Sequence, residues 1–481
     1  MARSSSIAVS VPSELAPHVQ RLIELVDGYR DHARSGTPDF AVAERAAMEL
    51  IGRLEGACVG TMLAALDPTA PRVEVDGRAY KRLEQRAEST YYTMRSEVVI
   101  NRHLYRADDV RNGPTVVPMD LRAGIIDGRY TPAAAVGFAR LAQEMPSRAA
   151  EETCESLGVL PYSRSSHFRV GDEVGSRWDD IRNEVEGQLA EHMEIPDEAV
   201  SISAAVDRVS MPMAEPREPT LEDIEAGVKN PITVAMRMAF SAVWTVYDRD
   251  GTPLSAVRYA HVPTGGAEAM ERSLARDLNA ILARRPDLLL VTLADGAPEM
   301  QNILDRAVVG HVVTACFVDF WHCIEHLSKA IAAAGHFEVA DKLGDWKLDL
   351  LERDEAIDDI EVELRAWAME FMLLPIEAMP EGLYDALTYV INNRDRLRYA
   401  TAHAAGLPVG SGTVEATCKT IVEVRMKRAG CRWYESGGQA VLGLRALATS
   451  EPKRWRAAMA HVLQSYQHEV RMLTARERVS A

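Results

Sequence analysis

The sequence predicts an α/β fold, with an RNase H-like mixed sheet and flanking helices in the second half of the chain. A mainly helical N-terminal region with a small β element precedes it. Residues 200–261 contain three strand-like runs joined by turn signals, as expected of an antiparallel meander. The run Leu288–Leu293 is short and apolar, which is typical of a central strand covered on both faces. The segments between this run and the neighbouring strands have apolar residues at helical spacing, which predicts helices there.

The order of these elements identifies the sheet. The first strand alternates apolar and small residues and ends at Asp207, and the meander continues to His261 around a turn at Asp250-Gly251. Helices and strands then alternate over 267–284, 288–293, 298–307, 312–318 and 320–334. The resulting order β-β-β-α-β-α-β-α is that of an RNase H-like core.

Changes in composition along the chain predict its domain organisation. Residues 1–38 are polar and are expected to be a partly disordered N-terminus. Residues 39–195 are expected to contain a helix, a small sheet and short helices in a helix-turn-helix-like arrangement. The core is expected over 196–335, a helical insertion over 336–400, and the completion of the core with basic C-terminal helices over 401–481.

Length and composition exclude several classes of protein. With 481 residues, of which 47% are hydrophobic, the chain is long enough for two to four domains. No apolar run approaches the roughly 20 residues of a membrane helix, and the N-terminus lacks the apolar core of a signal peptide. The six cysteines form no Cys-x-x-Cys pair, so neither a disulfide framework nor a cysteine-based zinc ribbon is expected. A cytoplasmic protein is the resulting expectation.

The charge is distributed unevenly. The formal net charge is −17, which by itself disfavours binding to nucleic acid. Residues 401–481 nevertheless contain 12 Lys and Arg against 6 Asp and Glu, whereas residues 1–400 contain 42 against 65. Because affinity follows the local field, a basic C-terminal segment on an acidic body can bind phosphate. A solvated basic helix face would explain the same charges equally well.

Three acidic residues occupy positions suited to a metal-dependent nuclease site. Asp207 ends the first strand, Asp295 follows the fourth strand just before a glycine, and Glu415 lies in the first turn of a helix that Ser411 is expected to cap. Phosphodiester chemistry uses two divalent ions about 4 Å apart, and Mg²⁺ prefers a few oxygen ligands on rigid elements. Taken singly, each of these acids is more often a surface charge or part of a turn, so the prediction depends on the combination.

The segment Leu407–Trp433 resembles bacterial insertion-sequence transposases of the Kra type. Its sequence, LPVGSGTVEATCKTIVEVRMKRAGCRW, contains Pro, a hydrophobic residue and Gly-Ser-Gly-x-Val-Glu, followed by Lys, Arg-x-Lys, Gly and Trp. Two further segments match in order, Ala294–Ala297 and Val318–His322, the second followed by Glu325-His326-Leu327. The resemblance extends over about residues 40–470.

The resemblance implies a DDE transposase whose catalytic and metal-binding triad is Asp207, Asp295 and Glu415, with two Mg²⁺ ions, or Mn²⁺ as a substitute. The reaction would be hydrolysis at a transposon end, followed by attack of the freed 3′-OH on target DNA. The partners would be double-stranded DNA of the terminal repeats and the target, and at least one further copy of the chain. Residues 39–195 would recognise the element ends, and the protein would be cytoplasmic and associated with the nucleoid.

Further residues follow from the same resemblance. Asp319, His322 and His326 would lie at the edge of the active site and orient a phosphate or the attacking water, although both histidines fit a purely structural role equally well. Candidates for contacts with backbone phosphates are Lys419, Arg425, Lys427, Arg428 and Arg432. The spacings Glu415–Lys419 and Glu423–Lys427 also suit ion pairs along one helix, which would account for part of this charge.

Two alternatives stay open at the level of sequence. Many such transposases carry a Cys-rich zinc-binding segment where this chain has Val98–Val117, which contains no cysteine. Together with the acidic net charge, this departure allows a domesticated DNA-binding relative without catalysis. His322-Cys323-Ile324-Glu325-His326 fits H-x-x-E-H, the inverted zinc-protease motif, in which both histidines bind zinc and the glutamate acts as base. No single residue after this motif stands out as the third zinc ligand. A zinc protease would also give no reason for the RNase H-like strand order.

Overall fold

Two compact units make up the chain in the computed structural model. One is formed by Met1–Arg177 together with Met459–Ala481, and the other by Trp178–Ala458. The structure describes residues 10–335, 338–372, 379–410 and 412–474. Across these residues, no helix is both long enough and apolar enough to cross a membrane.

The first part of the chain contains six helices and four strands among its described residues. In chain order they are α1 Ala16–Ser35, α2 Phe40–Ala64, β1 Arg72–Val75, β2 Arg78–Tyr92, β3 Glu97–Ala107, β4 Thr115–Val116, α3 Pro118–Ala123, α4 Pro132–Glu144, α5 Ser147–Leu157 and α6 Arg164–Glu191. Helix α1 lies within the segment 1–38 that the sequence predicts to be partly disordered.

The core elements follow. In chain order they are β5 Ser201–Pro216, α7 Leu221–Glu225, β6 Ile232–Tyr247, β7 Pro253–His261, α8 Gly266–Arg284, β8 Leu289–Ala294, α9 Pro298–Ala307, β9 Val313–Val318 and α10 Phe320–Ala334. The remaining elements are α11 Val339–Glu352, α12 Ala356–Met372, α13 Glu381–Asn393, α14 Ala400–Ala404, α15 Gly412–Thr417, α16 Val424–Met426, α17 Glu435–Thr449, α18 Pro452–Gln464 and β10 Val470–Leu473. A π-helical turn, Cys418–Glu423, joins α15 to α16.

The first unit is built on a five-stranded sheet with the strand order β10-β1-β2-β3-β4, in which all neighbours are antiparallel. Helix α2 approaches the start of β3 through Gly52, Gly56 and Gly60, which are spaced four apart on one helix face. A Cβ atom at Gly60 would lie 2.5 Å from Cγ2 of Val98, so the close approach requires glycine. The small β element predicted from sequence is confirmed. The pairing of β10 with β1 assigns the chain end to this unit, whereas the sequence places all of 401–481 with the core.

The second unit contains the predicted RNase H-like sheet. Its strand order is β7-β6-β5-β8-β9, with β5, β6 and β7 antiparallel and with β8 and β9 parallel to β5. Numbered along the core, this is the order 3-2-1-4-5, which confirms the fold class predicted from the element order. The parallel strands are joined through helices, as parallel pairing requires.

Alternate residues of the strands enter two different cores, as the two-residue period of a strand dictates. Ala204, Val206 and Trp244 are buried on the side of α8 and α9. Ala205 and Val243 are buried on the opposite side, in a core that includes residues of α10 to α13. Both faces are therefore covered, and the predicted helical insertion over 336–400 supplies much of one cover.

Strand β5 is longer than the sequence predicts. It does not end at Asp207 but continues to Pro216, and it pairs with β6 along its whole length. Met211 and Met213 on this extension are buried in a core with residues of the π-helical turn and α17. The prediction that Asp207 ends the strand is wrong because those later helices, which the local pattern does not reveal, stabilise the extension.

Charged side chains form a buried network in the second unit. Asp277 accepts hydrogen bonds from the Trp244 indole at 3.2 Å and from the Tyr259 hydroxyl, and it forms ion pairs with Arg276 at 3.2 Å and Arg454 at 3.3 Å. Glu186 extends the network, with Arg276 and Arg182 as its partners. Because burial removes water from these charges, each of them depends on its protein partners.

We predict that Asp277→Asn lowers the free energy of unfolding by about 3–5 kcal/mol, because it leaves the buried guanidinium of Arg454 without its counter-charge. The shift of the urea midpoint at constant m value measures this cost. Asp287→Asn is the control, since Asp287 is exposed and pairs with Arg285 at the surface, and a change within about 0.5 kcal/mol is expected there. Equal shifts for the two variants would contradict the role assigned to the network.

Candidate active site

Asp207 and Asp295 lie at the same level of two neighbouring strands. The last pair in the parallel register of β5 and β8 is Ala205 with Leu293, and each aspartate follows its strand's member of that pair by two residues. Asp207 remains inside β5, where it is paired with Ser241 of β6, whereas the chain leaves the sheet at Asp295. The sheet therefore brings these two predicted residues together.

The turn after β8 holds Asp295 in place. Gly296 has a φ of +94°, a left-handed conformation that favours glycine, and the Asp295 carboxylate accepts a hydrogen bond from the Ala297 backbone at 2.8 Å. From α13, the Tyr389 hydroxyl donates to the Asp295 carbonyl at 3.3 Å. The amide of Asp319 donates to the Ala294 carbonyl at 2.8 Å, so β9 and the start of α10 lie against the same turn.

Glu415 lies in the first turn of α15 and is exposed. It lines an open cavity of about 390 Å³ together with Asp207, Trp321, His322 and Lys419. Asp295 does not line this cavity, so the structure places Glu415 with Asp207 but gives no such evidence for Glu415 with Asp295. The predicted cap residue Ser411 lies outside the described residues.

Cys418 is a contact of Asp207 that the sequence interpretation missed. Its thiol donates to Oδ2 of Asp207 at 3.3 Å, and Oδ1 accepts from the Arg208 amide at 2.6 Å. Burial raises the pKa of the Cys418 thiol well above its ordinary value, which keeps it protonated as a donor. Cys418 follows Glu415 by three residues, so a common helix face was the one signal that could have identified it.

The π-helical turn at Cys418–Glu423 lies next to this contact. Short π-helical segments occur often at functional sites because they turn side chains out of the regular α-helical spacing. Buried Arg445 of α17 donates to the Thr420 carbonyl at 2.6 Å and supports the turn. In the part of the chain that the structure describes, Glu415 and Lys419 do not form the ion pair that their spacing allows. Both side chains line the cavity instead.

Burial and negative charge both act on Asp207. Burial raises the pKa of its carboxyl group above the ordinary value, and the nearby charge of Asp295 raises it further. The hydrogen bonds from Arg208 and Cys418 act in the opposite direction because they stabilise the carboxylate. Two carboxylates brought together in this way repel each other, and a cation between them would relieve the repulsion.

His322 joins these carboxylates through Asp319. The buried Asp319 caps α10, since its side chain accepts from the His322 amide at 2.8 Å, and it lies 3.3 Å from the imidazole Nδ1. The hydrogen bond to Asp319 raises the pKa of His322 to about 9, opposed by burial and assisted by the charges of Asp319, Asp207 and Asp295. His322 thus lines the same cavity as Asp207 and Glu415, and Asp319 contacts it from α10, while their role at the edge of an active site stays a prediction.

The other members of the H-x-x-E-H segment have separate partners. The His326 ring stacks on Tyr389 with 4.0 Å between ring centroids, and burial lowers the pKa of His326. Glu325 is exposed and pairs with Lys329 at 2.8 Å. These contacts suit structural roles and give no support to the zinc-protease interpretation.

The predicted phosphate-binding residues have different surroundings. Lys419 and Arg432 are exposed, Lys427 pairs with Glu423 at 3.0 Å as the spacing predicts, and Arg428 donates to the Val424 carbonyl at 2.9 Å. Arg425 is buried, with its guanidinium 4.9 Å from the Trp433 ring centroid. The sequence-based prediction that Arg425 contacts DNA is therefore corrected: its side chain packs inside the protein.

The donor set can be tested for its fit to a metal ion. Within the part of the chain that the structure describes, no three His, Cys, Asp or Glu side chains are assembled closely enough to hold one. The chemistry of the predicted ligands nevertheless fits Mg²⁺, since they are carboxylates and Asp207 and Asp295 have mutually unfavourable charges. Asp207, Asp295 and Glu415 stay the predicted ligands.

The sequence matches no protein-family model and no curated protein. Among solved structures, the chain is similar to a Drosophila P element transposase strand transfer complex, with 12% identity, a TM-score of 0.25 and coverage of 69% of this chain and 79% of that one. It is also similar to a pre-cleavage Mos1 transpososome, with 10% identity, a TM-score of 0.14 and coverage of 58% and 79%. At such TM-scores, the assignment of an RNase H-like core depends on the strand order of the sheet itself.

We predict that Gly296→Ala destabilises the protein by about 1–3 kcal/mol more than Gly310→Ala does. Both glycines have positive φ, at +94° and +89°, so the backbone strain of the substitution is similar. A Cβ atom at Gly296 would lie 3.0 Å from the Tyr389 ring, whereas Gly310 has open space around it. Urea unfolding of the two variants measures the difference, and equal costs would contradict the packing of α13 over the Asp295 turn.

The raised pKa of His322 predicts a dependence of stability on pH. Because the folded pKa of about 9 lies above the ordinary 6.5, the stabilisation is fully present below about pH 6.5 and is lost as the pH rises through about 9. We therefore expect metal-free protein to lose stability over this window, and His322→Gln to lose less. Urea midpoints measured across the window in the presence of a chelator test this, and parallel curves for the two proteins would refute it.

Proposed function

We propose that this chain is a DDE-type transposase, a Mg²⁺-dependent enzyme that cuts DNA at insertion-sequence ends and joins it to target DNA. The observation that carries the proposal is that Asp207 and Asp295 lie at the same level of two neighbouring parallel strands in an RNase H-like sheet. Glu415 supports it by lining the same cavity as Asp207. The three acids come from two strands and a late helix, which is the arrangement expected from the resemblance to Kra-type transposases.

The metal-binding role falls to the three carboxylates. Asp207, Asp295 and Glu415 would hold two Mg²⁺ ions, which would activate the attacking oxygen and stabilise the leaving one. Oδ2 of Asp207 now accepts the Cys418 thiol, a weak donor that a cation at this oxygen would replace. The protein surroundings of Asp207 thus hold its carboxylate in a fixed orientation toward the cavity.

The other residues of the cavity would position the DNA. In the first step, a water oxygen attacks a phosphorus atom at the element end, and the bond from phosphorus to the 3′ oxygen breaks to give a 3′-OH. In the second step, that hydroxyl attacks a target phosphodiester in the same way. Lys419, exposed on the cavity wall, would contact a phosphate, and the imidazolium of His322 would offset the negative charge of the scissile group.

A specific observation favours a second candidate, a DNA-binding relative without catalytic activity. Both oxygens of Asp207 accept hydrogen bonds from the protein itself. No metal-binding group is preassembled in the described ranges. In such a relative, the core would serve as a scaffold, and DNA binding would persist without cleavage.

A DNA cleavage assay of the Glu415→Gln variant distinguishes the transposase from the non-catalytic DNA-binding protein. The substrate is a DNA duplex that carries the sequences flanking the element, incubated with Mg²⁺ and assayed for nicked strands. We expect a loss of at least a hundredfold in cleavage, because the neutral amide keeps the size of the side chain and removes the charge that binds the metal. DNA binding should be unchanged.

Glu435→Gln is the matched control, since Glu435 is also an exposed glutamate in the first turn of a helix but lies outside the cavity. It should cleave like the wild type. Equal cleavage by wild type and Glu415→Gln would remove Glu415 from the site. Binding without cleavage by the wild type would favour the non-catalytic candidate.

A further inference from the structure

A second polar cavity lies in the first unit, and none of the three acids of the candidate active site lines it. It is open, has a volume of about 490 Å³, and is lined by Tyr92, Asp127, Arg129, Tyr130, Ser166 and Arg169. The function proposed above uses none of these residues.

The cavity is fixed by backbone pairing. The amide of Tyr92, at the end of β2, donates to the Arg129 carbonyl at 2.9 Å, and the amide of Thr131 donates to the Tyr92 carbonyl at 3.0 Å. Asp127 adopts a φ of +51° in the tight turn that hydrogen bonds between Ile126 and Tyr130 close. Tyr92 and Tyr130 both line the cavity, with their ring centroids 5.0 Å apart. These contacts fix the backbone of the lining segments around Tyr92 and Arg129.

Hydrogen bonds join several lining residues of the cavity to one another. Arg169 pairs with Asp127 at 2.7 Å through Nε and donates to the Tyr130 hydroxyl at 3.2 Å through Nη2. The Tyr130 hydroxyl in turn donates to Ser166 at 2.9 Å. Arg129 is exposed, and no acidic side chain in the described part of the chain pairs with it. Two arginines against one aspartate leave a net charge of +1.

We infer that this cavity binds a phosphate of the DNA backbone. A phosphodiester carries one negative charge, which matches the excess charge of the lining, and its oxygens suit the planar donors of arginine and the hydroxyl of Ser166. The inference rests on the proposed function for the identity of the ligand as DNA, and it gives the first unit a direct contact with that DNA.

The charge of the two units agrees with this assignment. The first unit contains 25 Lys and Arg against 26 Asp and Glu, for a net charge of −1, and the remaining −16 of the chain's −17 belongs to the second unit. The first unit as a whole therefore repels phosphate less than the second unit does. A local excess of one positive charge is offset less by its surroundings in the first unit.

Asp127 competes with the phosphate for Arg169. Asp127→Asn removes this competing charge, and asparagine tolerates the left-handed backbone conformation at this position. The variant should therefore bind DNA more tightly. A purely structural ion pair would give the opposite result, since its loss would weaken the cavity and any binding that depends on it.

The test is the salt dependence of DNA binding by the full-length protein, measured by fluorescence anisotropy with a fluorescein-labelled duplex of arbitrary sequence and a chelator present. Arg129→Ala should lower the slope of log affinity against log salt by about 1, and weaken binding roughly five- to tenfold at 0.1 M salt. Asp127→Asn should strengthen binding. Arg111→Ala is the control, because Arg111 is exposed in the same unit but outside the cavity.

Equal slopes for Arg129→Ala and Arg111→Ala would overturn the inference, and so would weaker binding by Asp127→Asn at unchanged thermal stability. If the wild type binds the duplex and Arg129→Ala binds it equally well, only the phosphate site is refuted. A wild-type protein that does not bind the duplex refutes the proposed function as well. Because the chelator removes cleavage from the measurement, a catalytic defect cannot produce either result.

Discussion

The candidate active site of the second unit depends on the parallel pairing of β5 with β8. Its register brings Asp207 and Asp295 to one level, since each follows its strand's member of the last parallel pair by two residues. The strands can hold this position because both faces of the sheet are covered, by α8 and α9 on one side and by helices of the insertion on the other. The fold thus imposes a pair of like charges on a half-buried site.

The surroundings of the pair partly offset its repulsion. Arg208 and Cys418 donate hydrogen bonds to Asp207, and the imidazolium of His322, held by Asp319, adds a positive charge at the edge. Among the described residues, none of these three groups forms a hydrogen bond with both aspartates. We propose that a divalent cation such as Mg²⁺, which prefers carboxylate oxygens, would offset the remaining repulsion.

Local patterns in the sequence were sufficient for the strand order and for the acids near the ends of the parallel pairing, since alternation and turn residues act over short distances. They were not sufficient where distant segments decide the outcome. The extension of β5 past Asp207 depends on packing with later helices, the burial of Arg425 depends on Trp433, and the contact of Cys418 with Asp207 depends on a π-helical turn. The first two are tertiary effects that residue periodicity does not encode, whereas for the third the three-residue spacing from Glu415 to Cys418 was a local signal.

The central claim is that Asp207, Asp295 and Glu415 share metal ions. The most direct test is a crystal structure of the protein with Mn²⁺, in which anomalous scattering locates the ions. We expect Mn²⁺ between Asp207 and Asp295, a coordinating oxygen from Glu415, and the Cys418 thiol displaced from Asp207. Mn²⁺ bound elsewhere, or bound at the aspartates with Glu415 far from it, would show that these three acids do not share metal ions.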